Sequence, residues 1–172
     1  DLFANNPEIT DLDLGNTLLS EVKEGTFDKL EKLRNLSLSA NDLSILPDSL
    51  FKNNKELRIL SITDNALVKL PSSLSSASNL ENLGLGNNRL TNLPDYVGEF
   101  ASLKQLDLKF NNISKISEDT WKNLAKRDGL KIDLIHNNLT SLPSLEDVKF
   151  ASLDVAANML PAEIPDSYKA LK

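Results

Sequence analysis

The only histidine in this chain is His136, there is no cysteine, and acidic side chains outnumber basic ones, 25 to 19. One imidazole leaves no multi-histidine metal site. The lack of cysteine removes thiolate ligands, thiol nucleophiles and disulfides together. No arrangement of side chains around His136 reads as a catalytic constellation, and Gly84-Leu85-Gly86 reads as a strand with small outward residues, not a phosphate loop. Asp107, Asp133 and Asp154 are the carboxylates that could work together, since they recur in phase along the chain. Calcium bridging among them is disfavoured, because carboxylates on strands lack the wrapping loop that calcium takes. No metal, no cofactor and no enzymatic activity are therefore expected. A net charge of −6 and a pI of about 4.8 oppose sequence-independent nucleic-acid binding, which needs clustered Lys and Arg. No stretch approaches the ~20 apolar residues of a membrane-spanning helix.

What could place those side chains is a repeat. Leucine supplies 34 of 172 residues and asparagine 19, both in fixed phase. Leu33-x-x-Leu36-x-Leu38-x-x-Asn41-x-Leu43-x-x-Leu46-Pro47 recurs from Leu57, Leu80 and Leu103 onward. Looser copies start at Ile9, with Thr17 in the asparagine position, at Gly129 and at Phe150. The fourth and sixth residues of each unit lie two apart, so on a strand they share one side, with the residue between them on the other. A single unit cannot bury its leucines, but stacked units enclose a continuous core. The asparagines Asn41, Asn65, Asn88, Asn111, Asn137 and Asn158 stand where the chain leaves each strand. An amide there offers donors and an acceptor to turn backbone, which predicts a buried ladder.

This pattern resembles the leucine-rich repeat family over essentially all of the chain, with units closest to the typical extracellular subclass. The last unit, Asn158-x-Leu160-x-Ala162-x-Ile164-Pro165, is similar to the plant type. The resemblance implies a single domain over 1–172, with a partial unit at 1–8 and repeats starting near 9, 33, 57, 80, 103, 129 and 150. It implies an α/β solenoid: a right-handed horseshoe whose concave face is a parallel sheet of about seven strands. The convex side is irregular, 3-10 or short-helical, with Phe27, Leu30 and Phe51 turned inward. The longest return, Ser117 to Gly129, reads as a helix N-capped by Ser117, with acidic residues at its start and Trp121 and Leu124 on one buried face. Residues 1–9 echo 49–57, so the chain opens inside the return of a preceding unit, and Tyr168 and Leu171 could lead into a further one.

The outward strand positions define the candidate binding surface. Phe110, Ile135 and His136 should adjoin, since neighbouring strands lie ~4.8 Å apart. Beside them runs the column Asp107, Asp133, Asp154, with Lys109 and Lys131 close by. Like charges stacked across a sheet are unfavourable, and nothing in the repeat obviously requires them. An apolar cluster rimmed by charge is what a binding hot spot looks like; the alternative is that the lysines neutralise the aspartates and Phe110 is incidental. The expected function is a non-enzymatic module binding a protein or peptide, basic or amphipathic in character, on the concave sheet. A structural spacer, or the recognition part of an enzyme whose catalytic domain lies elsewhere, are the alternatives. Self-association through open solenoid ends is a further expectation. Sequons at Asn35, Asn112 and Asn138 are about as many as chance supplies. The resemblance points to an extracellular or cell-surface location, with the cytoplasm as the alternative.

Overall fold

The computed structural model describes residues 2–143 and 148–163. Seven strands of three residues follow one another: β1 (Asp11–Asp13), β2 (Asn35–Ser37), β3 (Ile59–Ser61), β4 (Asn82–Gly84), β5 (Gln105–Asp107), β6 (Lys131–Asp133) and β7 (Ser152–Asp154). They form one parallel sheet in the order β1 to β7, each strand beside the next in sequence. The register keeps Leu12, Leu36, Leu60, Leu83, Leu106, Ile132 and Leu153 side by side. That alignment turns a period in the sequence into one apolar wall, and the chain is a leucine-rich-repeat-type solenoid with a single continuous core.

The returns differ in how they fill the convex side. In the first turns, Phe3, Phe27 and Phe51 stack in series, with ring centroids 6.2 and 6.4 Å apart. The next two returns tighten into 3-10 helices at Ser72–Ser76 and Asp95–Glu99, burying Leu74 and Val97. Each follows a proline, Pro71 or Pro94, whose ring fixes φ at the entry. The longest return contains α1 (Glu118–Ala125), N-capped by Ser117, whose hydroxyl accepts from the Thr120 N–H at 3.2 Å. Trp121 and Leu124 are buried, as their shared face predicts, and Trp121 lies 6.2 Å from the ring of Phe150. The helix is shorter than the segment expected to form it. It stops at Ala125, and Gly129 turns in the left-handed region, φ +77°. The inward position of that coil then falls on Leu130, fully buried, one residue later than the repeat predicts.

The asparagine ladder is built as its residue type requires. Asn88 Nδ2 donates to the carbonyls of Leu85 in its own coil and Ile62 in the coil before, and its Oδ1 accepts from the Leu67 N–H at 2.9 Å. Asn41, Asn65, Asn111, Asn137 and Asn158 repeat this arrangement. Asn65 and Asn158 are only half-buried, so the ladder is less uniformly enclosed than expected. Thr17, in the asparagine position of the first coil, gives its hydroxyl to the Leu14 carbonyl. Of the plant-like tail, Ile164 and Pro165, with Tyr168 and Leu171, lie outside the described residues.

Candidate functional site

Each concave strand ends in the same backbone manoeuvre. The residue before the ladder position lies in the left-handed region in all seven coils: Asn16, Ala40, Asp64, Asn87, Phe110, His136 and Ala157, with φ between 53° and 55° except Phe110 at 52°. Asparagine and aspartate enter this region easily; a bulky side chain does not. Placing Phe110 there costs ~1–2 kcal/mol, whereas His136, like asparagine and aspartate, is a residue type found in this region more readily. Their rings lie nearly parallel, with centroids 4.6 Å apart, and Phe110 is 44% exposed. Ile135 is half-buried and adjoins Phe110 through the backbone, its carbonyl accepting from the Phe110 N–H at 2.8 Å. The three residues expected to meet are therefore neighbours, and the close aromatic contact is Phe110 with His136.

Asp107, Asp133 and Asp154 stand directly across from one another in strand register. The expectation that nothing in the fold requires them is corrected by their hydrogen bonds. Asp107 Oδ1 accepts from the Lys109 N–H, Asp133 Oδ1 from Ile135 and Asp154 Oδ1 from Ala156, at 3.1, 3.0 and 3.0 Å. Asp13 takes the Gly15 N–H in the same way, and that bond, with help from Ser37, holds its carboxyl below the usual range. These aspartates tie the strand to the turn that follows it. Lys109 Nζ lies 3.3 Å from Asp107 Oδ2, while Lys131 makes no ion pair among the described residues. Gln105, Asp107, Lys131, Asp133, Ser152 and Asp154 line a depression of about 590 Å³ on this face.

Nearer β1, the concave surface is small and hydroxylated. Ser39 and Ser61 share a 2.7 Å hydrogen bond, and Thr63 donates to Ser39 at 3.1 Å. At Gly86 a Cβ would come 3.0 Å from Asp107 Oδ1 and 3.2 Å from Lys109 Cγ, so a larger residue would make both side chains shift. Glu81 is flanked by Lys104 at 2.6 Å and Arg58 at 3.4 Å, and Lys104 above all draws its carboxyl below the usual range.

One family model, described as leucine rich repeat, matches residues 1–43, 33–90 and 78–127. The chain belongs to the leucine-rich repeat family. Among solved structures, this leucine-rich repeat chain is similar to one titled as the crystal structure of a TLR13–ssRNA13 complex, with 28% identity and a TM-score of 0.75 over 96% of its length. It is also similar to a leucine-rich repeat protein of Leptospira interrogans, with 25% identity and a TM-score of 0.70 over 99% of its length. It spans 24% of the first neighbour and 50% of the second. No curated protein sequence matches it significantly.

Of the sequons, Asn112 is exposed and Asn138 half-buried, at equivalent places on consecutive coils. Asn35 lies on β2, where its amide donates to Asp11. No described helix is long and apolar enough to cross a membrane, and no group of three or more potential metal-ligating side chains gathers among the described residues. The pair Asp64 and Asn87 lay outside the expected site. They share the left-handed row with Phe110, and an Asp or Asn directly before the ladder position was the available signal.

Proposed function

We propose that this chain is a non-enzymatic recognition module that grips a protein or peptide on the concave sheet, chiefly in its C-terminal half. The observation that carries this reading is the Phe110–His136 pair: two large rings held in left-handed backbone, stacked on each other and left open to solvent. A bulky residue such as Phe110, kept at a conformational cost with no core to fill, points to function. An exposed aromatic beside half-buried Ile135 and charged neighbours has the make-up of an interface hot spot. Since the aspartates serve the strand ends, the main anchor is the apolar cluster; Asp107, Lys109, Lys131, Asp133 and Asp154 form its polar rim. With a net charge of −6, the complementary partner is basic or amphipathic. One structural neighbour is titled as a complex with ssRNA13; the aspartate column here opposes a polyanion on this face. On the resemblance of its units, we place the module outside the cell or at its surface.

Affinity capture from a native extract, comparing wild type with the Phe110→Glu, Ile135→Glu double variant, tests this reading. A partner retained by wild type and lost by the variant is expected. Equal capture by both, or none by either, would leave the chain as a structural spacer.

A further inference from the structure

Along the left-handed row, neighbouring side chains pair off. Asn87 Nδ2 donates to Asp64 Oδ1 at 2.7 Å, and Phe110 stacks on His136. Consecutive members are one strand spacing apart, ~4.8 Å, because each backbone N–H donates to the coil that follows: Asp64 to Gly86, Asn87 to Lys109, Phe110 to Ile135. The row is therefore broken between Asn87 and Phe110. Asn87 leans away toward Asp64. Phe110 stays 44% exposed with His136 stacked on it, and the exposed Asp64 carboxylate makes no ion pair among the described residues. Lys109 does not fill the gap, since its ammonium is drawn to Asp107 at 3.3 Å.

We propose that this break is a subsite for a guanidinium group, an arginine of the bound segment. This deepens the concave-face reading and rests on it. The planar cation stacks on Phe110 and offers an N–H to Asn87 Oδ1, with the Asp64 carboxylate one coil further on supplying charge complementarity and no direct bond. Arginine suits the slot better than lysine, because its planar, weakly hydrated cation stacks on an aromatic face while an edge N–H stays free to donate. The partner is thus an arginine-bearing peptide segment.

The test is selection of random dodecapeptides on the whole chain, followed by fluorescence anisotropy with the selected peptides. Arginine enrichment is expected. Phe110→Leu should weaken binding about tenfold, the scale of a partly desolvated cation–π contact; replacing that arginine by lysine, or Asp64→Asn, should each weaken it about threefold, the scale of an exposed charge interaction. The circular dichroism of both protein variants should match wild type, and Tm should fall by no more than about 4 °C, the effect of losing one surface contact. Peptides that need Ile135 but ignore Arg→Lys and Asp64→Asn would overturn the arginine subsite while leaving the concave surface standing. Peptides unaffected by Ile135→Glu, or no selected peptide at all, would overturn both.

Discussion

At the scale of the residue, two kinds of position recur in every coil, and they were unequally legible. The ladder asparagines could be read directly, because an amide at fixed phase has one obvious use. Each satisfies groups on two coils, so truncation strands donors and acceptors in both. Asn88→Ala leaves the Leu67 N–H without its acceptor and the Leu85 and Ile62 carbonyls without their amide donor, in a nearly solvent-free setting. The expected loss is about 3 kcal/mol, toward the upper end for buried unpaired groups, to be read from denaturant unfolding midpoints at unchanged m. The left-handed position just before the ladder was harder to see. Asn16, Asp64, Asn87 and His136 hint at it, but Ala40, Phe110 and Ala157 do not look like residues with positive φ. Fold geometry overrides local preference there, which is why the cost of Phe110 appears only in three dimensions. The aspartate column was legible as a column. Its purpose was not, since a bond to the backbone N–H two residues on depends on a turn that the repeat pattern does not specify.

At the scale of the element, the strands follow from the leucine phase, whereas the returns follow from individual residues. The Ser117 cap and the buried face of α1 were readable. The early end of the helix and the shift to Leu130 were not, because a return of unusual length can absorb its extra residues anywhere. The start of α1 is tied to the coil before it: the Ser117 and Thr120 hydroxyls both donate to Asp95 Oδ1, at 2.5 and 2.8 Å. These bonds, Ser117 first, hold the Asp95 carboxyl below its usual range. A depressed carboxyl stabilises the fold above its unfolded-state pKa, and that contribution is lost as pH falls through the folded-state value. Asp95→Asn should therefore lower Tm at neutral pH, and the gap to wild type should narrow once pH drops below about 4, where the unfolded carboxyl titrates. A gap independent of pH down to strong acid would show that the carboxylate charge is not what joins the two coils.

At the scale of the molecule, a chain without disulfides holds its coils together by stacked apolar side chains and the hydrogen bonds between coils. Among the described residues β1 pairs with β2, and a cavity of about 840 Å³ lies beside the first coil among Leu2, Leu14, Leu19, Val22 and Phe27. Thr10 and Asn35 hold the Asp11 carboxyl below its usual range, as Gly15 and Ser37 do for Asp13. The fold as a whole was legible because one period dictates it. The binding surface was legible only in part, since its outward positions are free of that period and take meaning from neighbours on other coils. The central claim is that Phe110 serves a partner and not the fold. Replacing it by asparagine, which tolerates left-handed backbone, while measuring unfolding and partner capture on the same preparation, tests this most directly. Relief of ~1 kcal/mol of backbone strain should roughly offset the lost ring stacking, so stability should stay within about 1 kcal/mol of wild type while capture falls at least tenfold, the mark of a hot-spot residue. A variant that unfolds easily, or one that binds as well as wild type, would contradict the account.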